Sequence, residues 1–212
     1  PLASIDVIAH ELSHGLVSGT ADLEYLGHSG ALNESFADVM GSMFEWYMYD
    51  KYNGDSDGDN DISGVADWDI GEDLDIKGKY LRSMSNPTSA NQPDRYKGTH
   101  YLDPNKIDVD KGGVHINSGI PNYCFYLLSE KLNDKNMALD IFIKCLRNLN
   151  CHSDFMDFRD VLKLVSHNNY AVRECLDMVG LNDGIRSDDR TKDNCKKTHK
   201  PQQPQQPQQP QQ

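Results

Sequence analysis

A mainly α-helical lobe followed by a polar tail is the fold class this 212-residue sequence predicts. Three observations predict it. Two histidines stand four residues apart inside an apolar stripe with helical spacing near the start. Apolar residues recur at the same spacing from about residue 118 to residue 179. The end of the chain, from Pro201, is four P-Q-Q repeats with nothing to bury.

The first element is a helix carrying Ile5, Val7, Ile8, Ala9 and Leu12. Within it His10-Glu11-Leu12-Ser13-His14 reads H-E-x-x-H. A helix turns once in about 3.6 residues, so His10 and His14 share a face. Two imidazoles so placed suit a single zinc ion, with Glu11 between them to act on a zinc-bound water. An ordinary amphipathic helix with two surface histidines would show the same five letters, so a third ligand is needed. A second helical stretch opens at Gly30 and runs to about Tyr49. Glu34 follows His14 by twenty residues, enough for one helix to end and another to return past it. His10, His14 and Glu34 would leave the fourth zinc position open, the mark of a catalytic site. Asp38 lies one turn beyond Glu34, placed to accept the far N–H of a ligating imidazole.

H-E-x-x-H followed by N-E-x-x-x-D resembles the thermolysin-type neutral metalloproteinases, which are gluzincins. Three later segments carry the same resemblance: Trp68 to Asp73 (WDIGED), Leu81 to Pro87 (LRSMSNP), and Gly112 to Gly119 (GGVHINSG). The resemblance covers roughly residues 1 to 183. The resemblance implies a zincin-like carboxy-terminal helical lobe with a calcium-binding loop region, over residues 1–184, and a tail at 185–212 that is read as disordered. It implies one catalytic zinc on His10, His14 and Glu34, with Glu11 as general base. It makes His115 and Tyr25 donors to the tetrahedral oxyanion, Asp110 the carboxylate behind His115, and Arg82 the ligand of a substrate carbonyl on the primed side. Val7, Ile70, Leu74 and Leu81 match an apolar S1′ pocket, which favours cleavage on the amino side of Leu, Phe, Ile or Val. Four hydrophobic residues are equally what a packed core contains.

Calcium takes six to eight oxygen ligands, so clustered carboxylates mark its sites. By the resemblance, Asp6, Glu45, Asp67, Asp69 and Glu72 bind one or more structural calcium ions. Between Glu45 and Asp67 an insertion of roughly fourteen residues interrupts the pattern. Its aspartates at 55, 57, 59 and 61 suit either an extra calcium loop or a solvated, self-repelling one. No EF-hand is formed, because Asn60 replaces the turn glycine and Ala66 the bidentate glutamate.

The later helices are expected at about 118–132, 135–149, 154–167 and 170–179. Asn133-Asp134 and Ser153-Asp154 supply turns and N-caps between them, and Gly180 a C′ position. Phe125, Leu128, Ile141, Ile143, Leu146, Phe158, Val161, Leu164, Val172, Leu176 and Val179 form the expected core. The five cysteines include no C-x-x-C pair, which argues against a cysteine zinc site. Cys124, Cys145 and Cys175 read as small buried residues. Cys151 sits in a loop, with Cys175 as one conceivable partner.

The net charge of −12 argues against nucleic acid and anionic membranes, and no apolar run nears the ~20 residues of a bilayer span. The active-site helix begins almost at Pro1, whereas the family carries a β-rich amino-terminal lobe before it. The chain is therefore expected to be the carboxy-terminal lobe of a longer, secreted precursor. Its partners would be peptide or protein substrates and the missing lobe or propeptide. Three functions fit: a zinc endopeptidase, a non-catalytic calcium-stabilised binding or scaffold module, or another gluzincin reaction such as an aminopeptidase.

Overall fold

The computed structural model of the protein describes residues 4–53, 66–74 and 80–182. Among the described residues the regular structure is helical, apart from one small ribbon. Helix α1 (Ile5–Ser18) packs chiefly against the long α2 (Gly27–Asn53). Close approach is possible because residue 41 is glycine. A Cβ there would lie 2.6 Å from the Asp6 carbonyl oxygen, well inside contact distance. Helix α2 starts three residues before the expected stretch and ends four residues after it.

Strands β1 (Asp69–Ile70) and β2 (Arg82–Ser83) pair antiparallel, with Ile70 opposite Arg82. A 3-10 turn follows at Pro87–Ala90. Neither strand was expected; two residues are too short to show alternation. Helix α3 (Asp110–Asn117) is also new to the reading, because its first turn is irregular. Asp110, Lys111, Gly112 and Gly113 all hold positive φ, so no helical periodicity announces it.

The remaining helices are α4 (Gly119–Leu132), α5 (Lys135–Asn148), α6 (Phe155–Val165) and α7 (Tyr170–Met178), close to the expected ranges. The N-cap Asp134 accepts from Met137 N–H. Asp154 and Asp157 form a reciprocal capping box at α6. Gly180 takes φ +72° just past the C-cap Val179, as a C′ glycine does.

The core lies where α2 meets α4, α5 and α6. The Phe142 ring sits at its centre, edge-on to Phe125 at 4.9 Å, to Phe158 at 5.6 Å and to Phe36 at 6.2 Å between centroids. Eight of the expected core residues are buried. Ile143 and Val161 are half-buried, and Leu164 is 70% exposed. On α6 the buried face runs through Phe155, Phe158 and Leu162, and Leu164 lies some 200° round from Leu162. Cys124, Cys145 and Cys175 are free and buried, as read. Cys151 is disulfide-bonded, and not to Cys175. The acidic stretch 55–61 and the tail 185–212 lie outside the described residues.

Candidate metal centre

His10, His14 and Glu34 come together between α1 and α2, with one ligand atom from each lying within 4.8 Å of the others. His10 Nε2 is 3.1 Å from His14 Nε2, and the two lie 3.5 Å from Glu34 Oε2 and Oε1 respectively. The far ring nitrogens fix the tautomers. His14 Nδ1 meets Asn33 Oδ1 at 2.8 Å, and Asn33 Nδ2 donates to the Leu23 carbonyl, which sets the orientation of that amide. His10 Nδ1 lies 2.8 Å from Asp38 Oδ1, close in distance though oblique in angle. Both Nδ1 atoms thus face acceptors and carry the protons. Both Nε2 lone pairs then point into one space, beside a buried Glu34 oxygen with no hydrogen-bond partner among the described residues. Bare lone pairs so arranged repel; a divalent cation satisfies all three. The donor set fits zinc.

Asp38 is fully buried and anchors this arrangement. Its Oδ1 and Oδ2 accept from Arg82 Nη2 at 2.6 Å and Nε at 2.8 Å, and Oδ2 also from Asn122 Nδ2 at 2.8 Å. Burial alone would raise its pKa, but the Arg82 charge and the His10 bond hold it well below the usual carboxylate range. Burial alone would lower the His10 pKa; the hydrogen bond and charge of Asp38 raise it overall.

The neighbouring cleft, about 480 Å³, is lined among others by Val7, Glu11, Tyr25, Leu81, Arg82 and His115. The Tyr25 hydroxyl donates to Glu34 Oε1 and lies 3.0 Å from His115 Nε2. Burial, and then the hydrogen bond and charge of Glu34, push the Tyr25 pKa up. His115 Nδ1 lies 2.6 Å from Asp110 Oδ1, while Asp110 Oδ2 accepts from the backbone N–H of His115 and Ile116. The left-handed turn at 110–113 makes this possible by swinging Asp110 back beneath the helix it precedes. Gly112 is needed there, since a Cβ would stand 2.4 Å from the Pro104 carbonyl oxygen. Ile70 and Leu74 do not line the cleft. They lie buried behind it, with Leu74 and Leu81 closing over Gly71.

The carboxylates form a second cluster. Glu45, Glu72 and Asp73 can each offer an oxygen within 4.8 Å of the others. Asp6 and Asp67 are near enough to act on both glutamates. Burial, then repulsion from Glu72, pushes Glu45 up to about 9; burial pushes Glu72 up to about 7. Asp6 Oδ1, Glu45 Oε2 and Glu72 Oε2 are buried without partners among the described residues. These hard oxygens fit calcium. Asp69 stands apart: its carboxylate meets Ser83 across the ribbon, and among the described residues Asp67 is the charge that acts on it. Asp73 joins the cluster instead, although sequence reasoning passed it over as the end of the W-D-I-G-E-D motif.

Sequence reasoning also missed three amides. Asn33 holds His14, Asn122 holds Asp38, and Asn117 bonds both the N–H and the carbonyl of Leu102. Asn33 and Asn117 stood inside quoted motifs; nothing marked Asn122.

Residues 21–177 match the family model described as thermolysin metallopeptidase, alpha-helical domain. The chain belongs to that family. Among members of the thermolysin family, the neutral protease NprE of Bacillus pumilus is 46% identical over 129 residues, 61% of this chain and 36% of the relative. Bacillolysin of Bacillus amyloliquefaciens is 43% identical over 143 residues, 68% of this chain and 23% of the relative. The chain therefore spans about a quarter to a third of these relatives. A solved structure, the precursor of protealysin, a metalloproteinase from Serratia proteamaculans, superposes with a TM-score of 0.68 at 32% identity. It covers 83% of this chain, which covers 57% of it in turn.

Proposed function

We propose that the protein containing this lobe is a zinc-dependent endopeptidase that cleaves on the amino side of bulky hydrophobic residues. The observation that carries the reading is the convergence of His10, His14 and Glu34, with Glu11 in the same cleft. His10, His14 and Glu34 would hold the zinc, with Asp38 behind His10. Bound there, the ion supplies Lewis acidity and brings the pKa of a water towards ~7.

The chain's own residues do the rest. Glu11 takes up a proton and hands it to the leaving amine. The Tyr25 hydroxyl, 3.0 Å from His115 Nε2, marks one spot where two donors meet a developing oxyanion. Asp110 accepts from His115 Nδ1 and so turns the ring's Nε2 towards that spot. Arg82 commits Nε and one Nη2 hydrogen to Asp38 and retains further N–H groups for a substrate carbonyl. Val7 and Leu81 offer an apolar wall for the P1′ side chain. A non-catalytic scaffold would have no use for Glu11, Tyr25, Asp110 and His115 in this arrangement.

Calcium would sit on Asp6, Glu45, Asp67, Glu72 and Asp73. A preceding lobe would cover α1, where Ile8, Leu12 and Leu16 lie exposed along one face. Secretion fits the disulfide at Cys151, which needs an oxidising compartment. The division into a lobe at 1–184 and a tail belongs to the same reading.

The test is cleavage of a quenched peptide with Leu at P1′, alongside metal analysis. Cleavage lost on chelation, restored by zinc, and abolished by Glu11→Gln with zinc still bound is the expected result. Chelator-resistant cleavage, or full activity in Glu11→Gln, would overturn the reading.

A further inference from the structure

Two consecutive residues of one turn reach the two groups that face each other across the cleft, His115 and Tyr25. Asp110 meets His115, with Oδ1 2.6 Å from Nδ1. Lys111 meets Tyr25, with Nζ 4.6 Å from the centroid of the ring. The turn dictates this division. Asp110 and Lys111 both hold φ +48°, and Gly112 and Gly113 follow at +81° and +82°. The N–H groups of both glycines close the turn on the Val109 carbonyl, at 2.9 and 3.3 Å. Neither glycine has room for a side chain. A Cβ would stand 2.4 Å from the Pro104 carbonyl oxygen at Gly112, and 2.7 Å from Asn117 Nδ2 at Gly113. The base of Lys111 is thereby fixed, and its stem carries the ammonium to the ring.

Lys111 is exposed, and among the described residues no carboxylate pairs with it. Its neighbour Asp110 is engaged by His115 Nδ1 and by the N–H groups of His115 and Ile116. The cation that lines the cleft, Arg82, is balanced by Asp38. Lys111 is thus an unpaired positive charge set against Tyr25. An ammonium is attracted to the face of an aromatic ring by the ring's quadrupole. A nearby cation also draws electron density from a phenol and makes its O–H the stronger donor. The hydroxyl in question lies 3.0 Å from His115 Nε2.

We propose that Lys111 is a positioning residue for peptide hydrolysis: through the Tyr25 ring it holds and polarises the hydroxyl that would meet the oxyanion. The proposal rests on reading the cleft as a peptidase site. The effect belongs in kcat, because the oxyanion forms only after substrate is bound.

The experiment compares the zinc-loaded parent chain with Lys111→Met, Lys111→Arg, Tyr25→Phe and the Lys111→Met/Tyr25→Phe double variant. The substrate is a quenched peptide with Leu at P1′ and uncharged residues elsewhere. Lys111→Met keeps the stem and removes the charge. It should lower kcat roughly two- to fivefold and leave KM within about twofold, as the loss of one cation–π contact implies. Lys111→Arg should retain most of the rate, since a guanidinium also stacks on aromatic faces. With the hydroxyl removed by Tyr25→Phe, the further change Lys111→Met should have no effect. An unchanged kcat in Lys111→Met, an equal loss in Lys111→Arg, or the same loss with and without the Tyr25 hydroxyl overturns the role. In each of these cases cleavage by the parent keeps the catalytic reading intact. A second readout needs neither zinc nor turnover. The ring current of Tyr25 should move the Lys111 ε-methylene proton resonances upfield, and Tyr25→Leu should return them. If the parent chain does not cleave the peptide, the peptidase reading fails and this contact decides. Lys111 resonances at their ordinary positions in the parent overturn the proposal.

Discussion

At the scale of single residues, Asp38 joins the metal centre to the substrate site. Its two oxygens meet His10, Arg82 and Asn122, with no solvent exposure. On the proposed reading it therefore orients a zinc ligand and holds the arginine that would bind substrate. Asp38→Asn is expected to weaken zinc binding about 10- to 100-fold, the usual effect of losing a carboxylate behind a ligating histidine. Glu11→Gln should leave zinc affinity unchanged, because the proposed ligand set does not include Glu11. Competition with a chromogenic chelator measures both; equal losses would contradict these roles. Asp38 also carries an acid limit. Its folded pKa is depressed, so the stability it contributes is present above the ordinary aspartate value near ~3.9 and is lost as pH falls through the folded value. The pairing of His10 with His14 was legible in the sequence, because helical spacing fixes i and i+4 on one face; their meeting with Glu34 rests on the packing of α1 against α2. Asn122 was not, since it lies 84 residues from Asp38 and only packing of α4 on α2 brings it there.

At the scale of elements, the contact between α2 and the β1 loop is crowded by carboxylates that repel one another. Glu45 at about 9 and Glu72 at about 7 keep their protons when folded, whereas the unfolded chain releases them near ~4.3. The folded state then binds more protons between those values, so its stability falls as pH rises across that window. With chelator present, the thermal midpoint should fall between pH 5 and pH 9. Millimolar calcium should flatten the fall by supplying the missing positive charge. Thermal melts at a series of pH values check this; a flat profile in chelator would count against a buried, self-repelling cluster. The sequence reading named Asp6, Glu45, Asp67, Asp69 and Glu72; the structure groups Asp73 with Glu45 and Glu72 and leaves Asp69 outside that group. On a strand, alternate side chains face opposite ways, so Asp69 turns to Ser83 in the ribbon, and the turn after Gly71 returns Asp73 to the cluster.

At the scale of the whole molecule, the helices α4 to α7 form a buttress for the site. Tyr96 N–H donates to the Val179 carbonyl, and Glu24 N–H to the Cys151 carbonyl, tying the segments beside the cleft to the bundle. Among the described residues, nothing backs the opposite face of α1 in this way. Ile8, Leu12 and Leu16 are 50%, 74% and 39% exposed, one turn apart. Such a stripe favours association. The 212-residue chain is expected to self-associate at micromolar concentration, and Leu12→Glu to reduce this without altering zinc content. Sedimentation velocity across a dilution series reads the outcome. A parent chain that stays monomeric throughout would show the stripe to be inert.

The sequence by itself determined what is local. Helix periods, caps such as Asp134 and Asp154, and the H-E-x-x-H spacing are set by φ/ψ preference and side-chain direction over a few residues. Tertiary structure alone decided the rest. The left-handed turn that puts Asp110 beneath His115, the amides of Asn117 and Asn122, the grouping of Asp73 with Glu45 and Glu72, and the seat of Lys111 over Tyr25 all depend on where distant segments meet. Their energies come from contacts across the chain, and no local pattern records those contacts.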